Sequence, residues 1–163
     1  MPAVPSDEEF LAYNRGVIDE FRANKGVVSR PPFPILLLTT TGARTGRRTT
    51  VPLGFAVDDD GRVFVVASKA GAPRHPAWFH NLRVNPSVTV ELGEGSFGAR
   101  AVVTAGEERD RLYRSVAGEG NEYEKSTDRV FPVVVLKGVP SPPDRTADRS
   151  TSILASGSQN RSL

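Results

Sequence analysis

A chain of 163 residues with 38% hydrophobic content is one domain's worth of sequence, with apolar surface for a single core. It contains no cysteine, which excludes disulfides, thiolate nucleophiles and cysteine-ligated metal, and its apolar runs fall far short of the ~20 residues needed to span a bilayer. The net charge of +2 conceals an asymmetry: Phe21 to Val90 holds ten Lys and Arg against only Asp58, Asp59 and Asp60, whereas Glu107 to Asp128 holds seven acids. A basic half focuses its field on an anionic partner.

In chain order, MPAVPSDEEF carries acids and no apolar core, so no secretory leader is expected and the chain reads as cytoplasmic. Asp7 to Asn24 is predicted helical. Ser6 can cap it, the acids that follow suit the helix dipole, and Phe10, Tyr13, Val17, Ile18 and Phe21 form one apolar stripe. Gly26 stands where the helix should stop. SRPPFP cannot be helical and leads into a strand, Ile35 to Thr40. Val51 to Val57 and Arg62 to Ser68 are strand-like and joined by DDDG, a hairpin signal. A glycine- and proline-broken loop precedes a short helix near Ala77 to Val84. Ser87 to Leu92 and Phe97 to Thr104 alternate as half-buried strands, Gly106 to Val116 reads as an amphipathic helix, and Phe131 to Leu136 as a buried strand. About six strands linked by short turns favour a mainly β, antiparallel sheet or barrel with flanking helices. The expected organisation is a helix and lead-in over 1–34, a barrel over 35–138, and a disordered tail over 139–163 that is too polar to repay ordering.

Two stretches could carry chemistry. TTTGARTGRRTT, Thr39 to Thr50, joins two glycines to three arginines without an acid. It lacks the ending of a phosphate loop, and no helix follows. Gly42 and Gly46 would let backbone amides face a ligand, and guanidiniums bind phosphate or carboxylate in bidentate fashion. A solvated hairpin tip is the other reading. ASKAGAPRHPAWFHNL, Ala67 to Leu82, sets a glycine loop beside Trp78, the single tryptophan, so it could flank a planar ring or plug the core. His75 and His80 have no third ligand in view, so no metal site is expected. No Ser-His-Asp or paired-carboxylate arrangement is readable.

TTTGARTG, VPL, ASKAGAP, PAWFHNLRVNP and TDRVFPVVVL, in this order and spacing, resemble the deazaflavin-dependent nitroreductase family over roughly Glu8 to Lys137. That resemblance implies a split β-barrel that binds coenzyme F420, a deazaflavin with a ribityl-phosphate and an oligoglutamate tail. It implies hydride transfer from the reduced cofactor to a quinone, nitroaromatic or activated enone. By the same resemblance Arg44, Thr45 and Gly46, with Arg47 and Arg48 nearby, would meet the phosphate and tail. Ser68, Lys69, Ala70, Gly71 and Ala72 would run along the ring and ribityl chain, Trp78 and Asn81 would sit beside the ring, and Pro52 would line the pocket. Several positions depart from the family pattern. Thr49 replaces a frequent arginine, Ala43 a frequent basic residue, and Gly54 a frequent aromatic. The segment rich in pocket tyrosines is short, leaving Tyr123 as candidate proton donor and Tyr113 further back.

Two other functions are compatible with the sequence. One is a split-barrel protein using FMN, whose phosphate could also sit on an arginine loop. The other is a non-enzymatic anion or nucleic-acid binder, against which stands the lack of aromatics interleaved with the basic residues. The expected partners are a small-molecule acceptor and no specific nucleic acid, in a monomer or homodimer with possible peripheral membrane contact.

Overall fold

The fold is described from a computed structural model, which covers residues 7–67, 75–117 and 130–142. Helix α1 spans Asp7–Ala23 and is followed by strands β1 (Ile35–Thr41), β2 (Arg48–Gly54), β3 (Ala56–Val57) and β4 (Val63–Val66). Then come α2 (Ala77–Val84), β5 (Ser87–Leu92), β6 (Gly95–Val103), α3 (Gly106–Ala117) and β7 (Val133–Lys137). The helix limits match the sequence expectation to within a residue. Ser6, its expected cap, lies outside the described residues.

All strands pair antiparallel in one seven-stranded sheet of order β2-β1-β5-β6-β7-β4-β3. The run Val51 to Val57, expected as one strand, divides at Phe55 into β2 and β3. These two lie at opposite ends of the strand order although a single residue separates them. A sheet whose two edges are held one residue apart must curl onto itself; the short turns favour such an antiparallel barrel, and the family resemblance implies its split form.

Both faces of β1 are covered. Leu36, Leu37 and Leu38 are fully buried, which is why PILLL is continuously apolar rather than alternating. Each such side chain contributes about 1.5–3 kcal/mol by leaving water. Helix α1 covers the Leu37 face. Its Val17 and Phe21 are buried, and Arg22 makes a two-pronged ion pair with Glu91, at 3.0 and 2.8 Å, the residue opposite Leu37 on β5. Past the helix, Gly26 has φ +89° and abuts Gly93, so neither the backbone angle nor the space admits a side chain. On the other face, α2 buries Trp78, Phe79 and Leu82. Helix α3 packs Leu112, Tyr113 and Val116 against the β7 region, where Arg109 Nε donates to the Phe131 carbonyl at 3.0 Å.

The acidic hairpin is built around a buried carboxylate. Asp58 Oδ1 accepts from the amides of Asp60 and Arg62 at 2.9 and 2.8 Å, and Oδ2 accepts from Arg62 Nε at 2.7 Å. Burial pushes the Asp58 carboxyl upward, but the Arg62 amide and guanidinium outweigh it and hold the group below the ordinary carboxylate range. Beyond β7, Val139 is buried and Ser141 Oγ donates to the Gly61 carbonyl at 2.6 Å, so the chain stays on the barrel through these residues. Residues 143–163, expected to be disordered, lie outside the described residues. Among the described residues no helix is long and apolar enough to cross a membrane.

Candidate functional site

The candidate site lies at the end of β1. Its base is the β1–β2 ladder, whose register runs without a bulge from Ile35 opposite Gly54 to Thr41 opposite Arg48. Because side chains alternate along a strand, this register sorts the residues by face. Thr39 and Thr50 share a hydrogen bond of 2.7 Å, and Arg48 Nη2 donates to Thr89 Oγ1 at 2.7 Å; Thr89 stands opposite Thr39. Thr39, Arg48, Thr50 and Thr89 therefore occupy one face, with Pro52, which is buried on the same side of β2. Thr40 and Thr49, themselves opposite each other, occupy the other.

Residues 42–47 form the tip. The Gly42 amide donates to the Arg47 carbonyl at 2.7 Å, the Gly46 amide to the Gly42 carbonyl at 3.0 Å, and the Arg47 amide to Thr45 Oγ1 at 3.1 Å. Gly46 takes φ +71°, a left-handed conformation that favours glycine. A side chain at Gly42 would fall 2.7 Å from Thr45 Oγ1 and 3.2 Å from the Arg47 carbonyl oxygen, so both loop glycines serve the turn. Arg44 and Arg47 are exposed, and neither guanidinium has a hydrogen bond or ion pair among the described residues.

Helix α2 braces this tip. Asn81 Oδ1 accepts from the Ala43 amide at 3.0 Å, and its Nδ2 donates to the buried Thr40 Oγ1 at 3.1 Å. One turn earlier, Trp78 is 5% exposed and stands edge-on to Phe79, as a core plug would. Its indole N–H, however, is buried without a hydrogen-bond partner among the described residues. A buried indole N–H normally finds an acceptor, and an orphan of this kind is a place for a ligand atom.

The structure thus brings Arg44, Thr45, Gly46, Arg47 and Asn81 into one cluster, with Trp78 on the same helix. It separates Arg48 and Pro52 onto the opposite face of β2. Ser68, Lys69, Ala70, Gly71, Ala72 and Tyr123 lie outside the described residues. Tyr113 is a core residue, stacked edge-on against Phe131 with the Arg109 guanidinium 4.5 Å from its ring, which removes it from any open pocket. Thr40 escaped the sequence reading, because a threonine in an apolar strand carries no signal until its partner is known.

The donor set suits a cofactor with an anionic arm and a flat ring: two exposed guanidiniums on a glycine turn, and a buried N–H one helical turn from the brace. Comparisons with known proteins agree. An F420H(2)-dependent quinone reductase of Mycobacterium tuberculosis is 42% identical over 109 residues, covering 63% of this chain and 72% of that protein. The solved structure of an F420-H2 dependent reductase is 38% identical, with a TM-score of 0.55, and covers 68% of this chain and 97% of its own. Another solved structure, described as a domain-swapped dimer, is 35% identical with a TM-score of 0.57 over 81% of this chain and 100% of its own. The model of the F420H(2)-dependent quinone reductase family matches residues 13–138, and the chain belongs to that family, whose cofactor is coenzyme F420.

Proposed function

We propose that this protein takes a hydride from F420H2 and delivers it to a quinone, with nitroaromatics and activated enones as further electron-poor acceptors. The observation that carries the reading is the loop: two guanidiniums without partners among the described residues, on a glycine turn braced by Asn81, in a chain of this family. Arg44, Thr45, Gly46 and Arg47 would hold the phosphate and glutamate tail, through charged hydrogen bonds worth about 1.5–3 kcal/mol each. Arg47, and not Arg48, stands in for the arginine missing at Thr49, because Arg48 is engaged with Thr89 on the opposite face. Trp78 offers its indole N–H to the cofactor, while Ser68, Lys69, Ala70, Gly71 and Ala72 follow the ring and ribityl chain; Pro52, buried on the opposite face of β2, takes no part.

When bound, the reduced deazaflavin supplies the hydride. The chain's own task is to hold the acceptor carbon within about 3–3.5 Å of the donor, to exclude water, and to answer the charge that develops on the acceptor oxygen. Trp78, backed by the core residues Phe79 and Leu82, is the apolar side chain beside the site, and Tyr123 is the proton donor to that oxygen. No side-chain nucleophile is needed. An FMN-dependent or purely anion-binding role is not favoured by the family match. As its assembly we favour a homodimer, in line with the related structure described as a domain-swapped dimer.

The test is to follow F420H2 oxidation with a panel of quinones and nitroaromatics, alongside binding titrations of F420 and FMN. Quinone-dependent oxidation with F420 bound more tightly than FMN is expected. Tighter binding of FMN, or oxidation by none of the acceptors, would overturn the proposal.

A further inference from the structure

The resemblance to the family sets Asn81 beside the cofactor ring, yet each end of its carboxamide already holds a partner within the protein. The Ala43 backbone N–H can only donate, which fixes Oδ1 toward the loop and leaves Nδ2 pointing at Thr40 Oγ1. Thr40 is 1% exposed within β1, a rigid anchor between two paired strands. Ala43 lies beside Arg44 at the front of the loop. The other bonds of the tip are internal to it: Gly42 to Arg47, Gly46 to Gly42, and Arg47 to Thr45. Among the described residues, Asn81 therefore provides the hydrogen bond that ties the loop to another element of the fold. Asn81 is itself held, since its carbonyl accepts from the Asn85 amide at 2.8 Å where α2 ends.

We infer that Asn81 is a positioning residue and not a ligand of the ring. It clamps residues 42–47 to the end of β1, so that the loop amides and the Arg44 and Arg47 guanidiniums meet the cofactor's phosphate and carboxylates already arranged. The physical gain is preorganisation: a loop ordered before binding loses less entropy on binding. The side chains of Arg44 and Arg47 have no hydrogen-bond or ion-pair partner among the described residues, so their placement depends on the backbone beneath. The clamp also makes α2 a shared support. Trp78 and Asn81 are one turn apart on it, so the helix that aims the indole N–H also sets the anion loop. This inference rests on the proposed binding of F420 at the loop.

The test uses Thr40→Val, Asn81→Ala and the double variant, with the fluorescence of the single tryptophan as the binding signal. Two ligands are titrated: F420, and the shorter deazaflavin that has the ring and ribityl chain without phosphate or glutamates. Each single substitution should raise the Kd for F420 about tenfold, the effect of one lost hydrogen bond. The double variant should be no weaker than Asn81→Ala, and the Kd for the short deazaflavin should stay within about twofold of wild type, as for sites that do not touch the ring. A merely structural loss would weaken both ligands alike and lower the melting temperature in proportion. Equal weakening of both ligands by Asn81→Ala would overturn the inference in favour of a ring contact. Wild-type F420 affinity in Thr40→Val would overturn it too, and that variant suffices if Asn81→Ala does not fold. Failure of the underlying reading has its own signature: the unaltered protein would bind the two ligands equally well.

Discussion

Arg47 and Arg48 are neighbours in the chain but not in space, and replacing each by alanine should have opposite consequences. The Arg47 guanidinium is exposed and makes no hydrogen bond or ion pair among the described residues, so Arg47→Ala should leave folding stability within about 0.5 kcal/mol. If it meets the cofactor's anionic arm, the loss is one charged hydrogen bond, about 1.5–3 kcal/mol, or roughly a 10–150-fold rise in Kd for F420. Arg48 reverses the pattern. Its bond to Thr89 at 2.7 Å ties β2 to β5 across β1, and losing it should cost the fold about 0.5–1.5 kcal/mol. Its effect on the cofactor is limited to a through-solvent attraction, screened over a Debye length of about 8 Å at physiological salt. The assay is F420 titration by tryptophan quenching at 0.15 M ionic strength (about physiological), paired with thermal melts. Arg48→Ala weakening F420 as much as Arg47→Ala does would refute the placing of Arg47 in the anion loop and of Arg48 on the far face of β2.

Three further outcomes are expected. The Asp58 carboxyl is held below its ordinary range in the fold, so its stabilisation is present above the unfolded value of about 3.9 and is lost as pH falls through the lower folded value. The stability gap between wild type and Asp58→Asn should therefore be constant from neutrality to about pH 5 and close below it; urea melts showing a constant gap down to pH 3 (roughly a unit below that unfolded value) would contradict this. Gly26→Ala places a Cβ 2.6 Å from Gly93 Cα at φ +89°. It should cost about 2–4 kcal/mol, or about 5–15 °C in melting temperature. Tyr123→Phe should lower kcat for quinone reduction by about 10²-fold or more while leaving F420 affinity unchanged; undiminished turnover would remove Tyr123 as a required donor.

Local patterns in the sequence located the helices well, because Phe10 to Phe21 and Leu112 to Val116 have helical spacing and Gly26 and Gly106 mark ends. The strand order was not legible. That β7 lies between β6 and β4 is a matter of long-range pairing, and Val133 to Leu136 would read the same at any central position. The break at Phe55 was hidden for a related reason, since VPLGFAV is apolar throughout and only barrel closure divides it. At the site, the anion loop was visible as glycines and arginines. The face of Arg48 was in principle available from alternation, once that residue is known to open the strand. The role of Asn81 was not, because its two partners lie 38 and 41 residues away and join it only in the folded chain.

The position of β7 has a consequence for how the molecule is made. Among the described residues strand β4 pairs with β3 and β7 alone, so until β7 is in place no ladder of those residues connects the β3–β4 hairpin to β2-β1-β5-β6. On a ribosome, a nascent chain that ends before Val133 holds two separate pieces of sheet, with the facing edges of β4 and β6 open to other chains. Closure then waits for β7 to emerge and pairs residues about 70 apart, which makes it a slow, non-local step. A truncation within β7 should accordingly yield aggregation in the cell instead of a smaller, weakened enzyme.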